Sequence, residues 1–302
     1  MMFPRTLTQP LISNGYTLNP ENVGWLEPSD PTTSRRLLWQ QYQEQGYLWL
    51  KGLLDREDVL AFRRRFFETF RETGLVASGS NALQGLYAGA DAKVLVHPNK
   101  ILLEVVRWAA FEAFCLSAPI IEFYEDFLEG SVYLHKRKIV RFTKPHDPKC
   151  TMPHYDLIYL RGGTERVVTS WIPIGDIPVE MGGLAYLEKS HHWGRRKEAE
   201  FNRMNANLSR AEQINPYNPN MDAETPIGAD VNALAERAGG RWLIADYEAG
   251  DMVVHDPYFV HTSTVNNDAQ GRIRLSTDIR YQRVRDEIDP RWQNHWSFDD
   301  ML

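Results

Sequence analysis

Thr151-Met-Pro-His-Tyr-Asp-Leu-Ile-Tyr-Leu160 is the stretch from which the rest of the chain is best read. After Pro153 the Tyr, Ile and Leu positions favour a strand over 154–160. Side chains alternate along a strand, so His154 and Asp156 would share one face and Tyr155 the other. An imidazole beside a carboxylate supplies two members of a 2-His-1-carboxylate facial triad. Such a triad holds Fe(II) on one side and leaves the opposite positions open for substrate and O2. The third ligand must come from elsewhere, and His261 is the foremost candidate. Alone the pair is a weak signal, because 9 His and 40 acidic residues in 302 positions produce roughly one His-x-acid match by chance. A packed histidine beside a solvated aspartate is the competing reading, so context decides.

Composition narrows the classes. A chain of 302 residues, 43% hydrophobic and 25% charged, suits one large globular domain or two small ones. A net charge of -6 argues against a nucleic-acid partner, which calls for a basic face. The basic runs Arg63-Arg64-Arg65 and Lys136-Arg137-Lys138 read as solvated faces. Two cysteines, Cys115 and Cys150, make no disulfide framework and suit a reducing compartment. No apolar run approaches the roughly 18 residues of a membrane span, and Met-Met-Phe-Pro-Arg-Thr lacks the apolar core of a signal peptide. A cytoplasmic protein is the expectation. Nine tryptophans suit an apolar pocket or a large core.

Along the chain, residues 1–33 read as an irregular arm. Ser34 begins a helix stopped by Gly46, Tyr47–Leu50 is a short strand, and Asp55 caps a second helix. In that helix Val59, Phe62, Phe66 and Phe70 form an apolar stripe, with the three arginines on the opposite face. Residues 76–98 read as loop, and helices follow over 100–116 and 119–128. From Gly130 the texture changes to short β-branched or alternating runs: 131–142, 166–174 and 184–187, then 242–245, 251–254, 259–265 and 273–281. Helices followed by strands indicate an α+β chain with a sandwich or barrel in its second half. The polar excursion 195–240 reads as a lid or binding insertion, and the aromatic tail 284–302 can fold back over the barrel.

Three further stretches line up with the pair. They are Thr169-Ser-Trp-Ile-Pro-Ile-Gly-Asp176 leading into Met181-Gly-Gly-Leu-Ala-Tyr-Leu-Glu-Lys-Ser-His191, then Ala249-Gly-Asp-Met-Val-Val-His255 followed by His261, then Arg272-Ile-Arg-Leu-Ser-Thr-Asp-Ile-Arg-Tyr-Gln282. With Gln45-Gly-Tyr-Leu-Trp-Leu-Lys-Gly52 near the start, the chain over roughly residues 37–283 resembles the phytanoyl-CoA dioxygenase-like family of Fe(II)/2-oxoglutarate oxygenases. It departs from the usual pattern in carrying Gly-Gly and Lys-Ser-His where the family shows Asn-Gly and Gly-Ser-His.

The resemblance implies a double-stranded β-helix, a cupin-like jelly roll over 130–283, buttressed by helices over 34–129 within a single oxygenase domain of 1–302. It also implies His154, Asp156 and His261 as iron ligands, with His255 as the rival for the third place. A bidentate arginine anchors the far carboxylate of 2-oxoglutarate, a task that needs the guanidinium fork. The gap from His261 favours Arg272. The surrounding text favours Arg274, which is preferred because turns absorb insertions more easily than strands. Trp171, Thr169 and Tyr159 are further candidates for the cosubstrate pocket. Arg141, Lys138 and Arg280 can meet an anionic substrate, although exposed strand charges are the commoner case.

The implied activity uses Fe(II), 2-oxoglutarate and O2 to hydroxylate an unactivated C–H of a small lipid-like or natural-product molecule, releasing succinate and CO2. Retention of Asp156 separates the chain from related halogenases, which carry a small residue there. Two competing classes are a cupin-type metal-dependent isomerase or hydrolase without 2-oxoglutarate, and a non-catalytic binding module on the same barrel.

Overall fold

The computed structural model describes residues 7–93, 95–221 and 227–297. The expected arm, 76–98 loop, 195–240 insertion and tail therefore each extend in part (1–6, 94, 222–226 and 298–302) outside the described residues. Two sheets carry the fold. The larger runs Pro28–Ser29, Tyr47–Leu50, Met252–His255, Val168–Pro173 and Arg274–Arg283, with Val132–Leu134 and Ile139–Thr143 sharing the far edge of Arg274–Arg283. The smaller runs His261–Ser263, Leu184–Leu187, Trp242–Ile244 and Val23–Trp25. The core pairings are antiparallel between strands distant in sequence, and Trp49, Trp171 and Val253 of one sheet pack with Leu184, Tyr186 and Leu243 of the other. This is the jelly-roll arrangement.

The N-terminal segment is less irregular than its sequence suggests. Val23–Trp25 and Pro28–Ser29 each add a short parallel strand to one sheet. Two- and three-residue strands carry no readable periodicity; an open sheet edge, with its unpaired N–H and C=O groups, recruits them.

Helices Arg35–Gln45, Arg56–Arg71, Pro98–Val105, Ala109–Cys115 and Ala118–Leu128 cover the outer face of the larger sheet. Gly46 ends the first at φ 84, and a Cβ there would lie 2.5 Å from His191 Nδ1, so glycine is required twice over. Asp55 caps the second by accepting from the Glu57 and Asp58 amides. That helix buries Val59, Phe62, Phe66, Phe67 and Phe70, each contributing about 1.5–3 kcal/mol. Its arginines do not all face water. Arg63 is buried, and its Nε and Nη1 donate to the Leu83 and Ile174 carbonyls at 2.7 and 2.8 Å. Arg137 and Lys138 of the second basic run are buried too. The helix expected over 100–116 is two, interrupted at Trp108, whose backbone is extended.

The 195–240 stretch contributes helices Ser190–Met204, Arg210–Gln213 and Val231–Ala238, whose Phe201, Val231 and Leu234 pack with Trp242 and Ile244 beneath the smaller sheet. Trp292 of the tail is buried in the same cluster, its indole N–H donating to the Tyr159 carbonyl at 3.1 Å. Among the described residues no helix is long and apolar enough to cross a membrane.

Candidate active site

The residues that open the ligand motif do not form a strand. His154 pairs with His261 through an isolated bridge, and Asp156 begins the short helix Leu157–Leu160. The two side chains converge because a bridge runs directly into a helical turn, not through pleat alternation. Pro153 and the β-favouring residues suggested the strand; the helix forms because the Leu157 amide finds the Pro257 carbonyl at 2.8 Å. Tyr155 does point away, its hydroxyl donating to Glu198 at 2.6 Å.

His154, Asp156 and His261 each offer one ligand atom within 4.8 Å of the others, and all three are buried. His154 Nδ1 lies 2.8 Å from the Met152 carbonyl, and His261 Nδ1 lies 2.9 Å from that of Phe259. A carbonyl only accepts, so both Nδ1 atoms carry the proton and both Nε2 atoms present lone pairs. Those lone pairs face Asp156 Oδ1 at 3.5 and 3.9 Å. Three acceptors meeting with no proton between them make a cation site, and two nitrogens with one oxygen suit Fe(II). Burial, then the neighbouring His154 and His255, hold His261 well below its ordinary pKa, which keeps it neutral.

Asp156 is held from a row that crosses the larger sheet. Thr169 is paired in register with His255 on one side and Arg280 on the other. Arg280 Nη2 meets Asp156 Oδ1 at 3.0 Å, His255 Nε2 meets Oδ2 at 3.3 Å, and the Thr169 hydroxyl donates to Oδ2. Burial by itself raises the carboxyl pKa. The Arg280 guanidinium, with His154, His255 and His261, outweighs it and holds the group well below the carboxylate range. His255 thus braces the carboxylate while His261 completes the ligand cluster.

The two candidate anchor arginines occupy different surroundings. Arg272 precedes the strand and forks onto Asp268 at 2.7 and 3.0 Å. Arg274 opens the strand, is 2% exposed, and donates to the Gly182 carbonyl. Its Nε has no partner among the described residues. Burial, and Arg141 nearby, bring Arg274 down to about 10, so it stays charged at neutral pH. Trp171 lies fully buried, edge-on to Tyr247 at 4.6 Å, with its indole N–H likewise unpartnered. Tyr159 stands edge-on to His154 at 5.6 Å. A cavity of about 740 Å³ lies elsewhere, lined by Trp39, Tyr42, Phe127 and Arg195 and by none of the three ligand candidates.

The family model of phytanoyl-CoA dioxygenase (PhyH) matches residues 42–274. The chain belongs to this family. It is an Fe(II)/2-oxoglutarate-dependent oxygenase of jelly-roll fold. Its sequence is 24% identical over 258 residues to 1-deoxypentalenic acid 11-beta-hydroxylase of Streptomyces exfoliatus, covering 82% of this chain and 81% of that protein. Similar solved structures include EctD from S. alaskensis with bound Fe (TM-score 0.56, 13% identity, 92% of this chain and 88% of that one). The epimerase SnoN in complex with Fe3+, alpha ketoglutarate and nogalamycin RO is another (TM-score 0.54, 18% identity, 85% and 86%).

Sequence reasoning named the three ligand candidates and both arginines. It undervalued Arg280 and His255, which grip Asp156. The signal was present: Arg274, Asp278 and Arg280 share one strand parity, and parity places them together inside the barrel.

Proposed function

We propose that this oxygenase hydroxylates an unactivated C–H of a small organic molecule, with His154, Asp156 and His261 holding Fe(II) and Arg274 anchoring 2-oxoglutarate. The observation that carries the reading is the convergence of two Nε2 lone pairs on one oxygen of a braced carboxylate, in an interior that also holds a buried arginine with an unspent donor. Iron with 2-oxoglutarate and O2 supplies the oxidising power, releasing succinate and CO2.

The residues of the chain bind and orient. Met152 and Phe259 carbonyls fix the two imidazoles in the tautomer that leaves Nε2 free. Thr169 and His255 occupy Asp156 Oδ2, and Oδ1, which also accepts from Arg280, faces the two histidines. Arg274 offers its fork to the distal carboxylate, while Arg272 is already committed to Asp268. Trp171 and Tyr247 wall the interior with apolar surface, excluding water. The substrate is small, as for the relatives named above, and the products of those relatives span hydroxylation and epimerisation. The cytoplasm is the proposed location.

The test is anaerobic titration of apoprotein with Fe(II), then 2-oxoglutarate, following the visible charge-transfer band of the chelate. The band should appear, vanish in His154→Ala, and require at least about 100-fold more 2-oxoglutarate in Arg274→Ala, with Arg272→Ala within about threefold of the parent. Iron binding without any band would move the protein to the cupin class that does not use 2-oxoglutarate.

A further inference from the structure

Tyr42 lines the cavity of about 740 Å³ that the ligand candidates do not reach. It is 5% exposed, yet its hydroxyl has no hydrogen-bond partner among the described residues. Asp256, another lining residue, is already engaged: its Oδ2 meets Arg195 at 2.6 Å and its Oδ1 accepts from the Tyr258 amide at 2.9 Å. Burial, then Asp256 and Tyr124, raise the Tyr42 pKa well above its ordinary value while Arg195 lowers it, which sets the hydroxyl beside that ion pair. His191 Nδ1, also without a partner, lies against Gly46, where a Cβ would come within 2.5 Å, and makes no bond to the hydroxyl. A buried hydroxyl that opens on a cavity of ligand size points to a guest that supplies its partner.

Three rings make one wall. Trp39 stacks on Tyr42 at 5.6 Å, and both meet Phe127, at 5.0 and 5.3 Å. Trp39 is 39% exposed although it belongs to this cluster, so part of an indole stands open at the cavity. Five arginines and three acids line the same space. Arg35 pairs with Glu129 at 2.6 Å, Arg195 with Asp256, and Arg283 with Asp286 at 3.1 Å. Glu165 accepts from the Tyr258 hydroxyl. Arg36 and Arg166, both exposed, have no acid partner among the described residues. The buried end of the cavity thus carries a neutral hydroxyl beside a carboxylate, and the exposed end carries uncommitted guanidinium groups.

We propose that this cavity is a second small-molecule site, separate from the iron centre, for a flat apolar molecule with a carboxylate at one end and a neutral hydrogen-bonding group at the other. The neutral end enters, because a second anion beside Asp256 is repelled, and it pairs with the Tyr42 hydroxyl. The body lies along Trp39 and Phe127, which favour an aromatic or fused-ring face. The carboxylate stays at the mouth, where a guanidinium fork matches its two oxygens. The site lies outside the oxygenase reading and does not depend on it. The two sites do share one stretch of chain. Asp256 and Pro257 line the cavity just beyond His255, and the Pro257 carbonyl holds the Leu157 amide next to Asp156.

The test uses the full chain, loaded anaerobically with Fe(II) and 2-oxoglutarate, and three probes: 6-hydroxy-2-naphthoate, its primary amide, and 2-naphthoate. Binding is read by naphthalene fluorescence and by calorimetry. The hydroxy acid should bind saturably below about 1 mM, about threefold or more tightly than the amide and about fivefold or more tightly than 2-naphthoate. Tyr42→Phe should bring the preference for the hydroxyl toward one and keep the preference for the acid. The double variant Arg36→Gln/Arg166→Gln should do the reverse. A general loosening of the fold does not produce that crossed pattern. Binding should also persist in His154→Ala, whatever that variant does to iron. The proposal is overturned if no probe binds saturably, if both preferences survive both variants, or if binding disappears with the iron, since the probe then sits elsewhere.

Discussion

The strand Arg274–Arg283 has two faces that obey opposite rules. Leu275, Ile279 and Tyr281 point outward into the helical buttress, where Phe66, Phe70 and Tyr124 receive them. Arg274, Asp278 and Arg280 point inward, all buried. One backbone thus serves a hydrocarbon core on one side and a charged chamber on the other, since side chains alternate. The outer face gains stability by removing apolar surface from water. The inner face gives some of it up, holding buried cations, Arg274 and Arg280, that each keep at least one donor without a partner among the described residues. Stability is made outside the barrel and function inside it.

The sharpest way to break that division is at the outer face. Phe66→Ala should cost about 3–5 kcal/mol in urea unfolding while the iron and 2-oxoglutarate band of the folded protein keeps its midpoint. A shifted midpoint would mean that the buttress tunes the chamber directly. The next effect comes from His135, buried on the inner side, where desolvation brings its pKa down to about 4, with Arg280 also lowering it and Gln282 opposing. The unfolded chain takes up the proton nearer 6.5, so it binds more protons between these values and stability falls as pH falls through that window. Unfolding at pH 7 and pH 5 should differ by on the order of 2 kcal/mol from this residue alone, and His135→Gln should remove that part of the slope. The smallest effect on stability comes from the inner face. Arg274→Met, which removes the unpartnered Nε but also the donor to the Gly182 carbonyl, should change ligand-free stability by no more than about 1 kcal/mol while 2-oxoglutarate binding is lost. A drop of several kcal/mol would show that Arg274 is a structural group after all.

Much of the site was legible because its chemistry depends on residue type and order. His154, Asp156 and His261 lie together in space, and Arg274 and Arg272, two residues apart, part company for a reason that spacing does not carry. Asp268 lies four residues before Arg272 and captures it, whereas Arg274 opens the strand and lies buried. Element boundaries were less legible where the local pattern was short or shared between states. Leu157–Leu160 reads as β from its residue types and folds as helix because the Pro257 carbonyl and the apolar cluster beneath it take that geometry. Arg63, Arg137 and Lys138 read as solvated and are buried. A charged side chain announces its cost of burial but not the partner that offsets it, and those partners (the Leu83 and Ile174 carbonyls, Trp292, Glu112) lie far along the chain.

By itself the sequence carried the α+β class and the alternation that makes a strand two-faced, through periods of 2 and 3.6, and its family resemblance supplied the jelly roll and the ligand candidates. Only the tertiary structure decided which arginine forks onto Asp268, that His255 braces the carboxylate while His261 lies with His154 and Asp156 in the candidate ligand cluster, and that Arg280 and Arg137 meet on one tryptophan. Those are outcomes of strand register and long-range closure, where a displacement of a single residue exchanges the inner face for the outer.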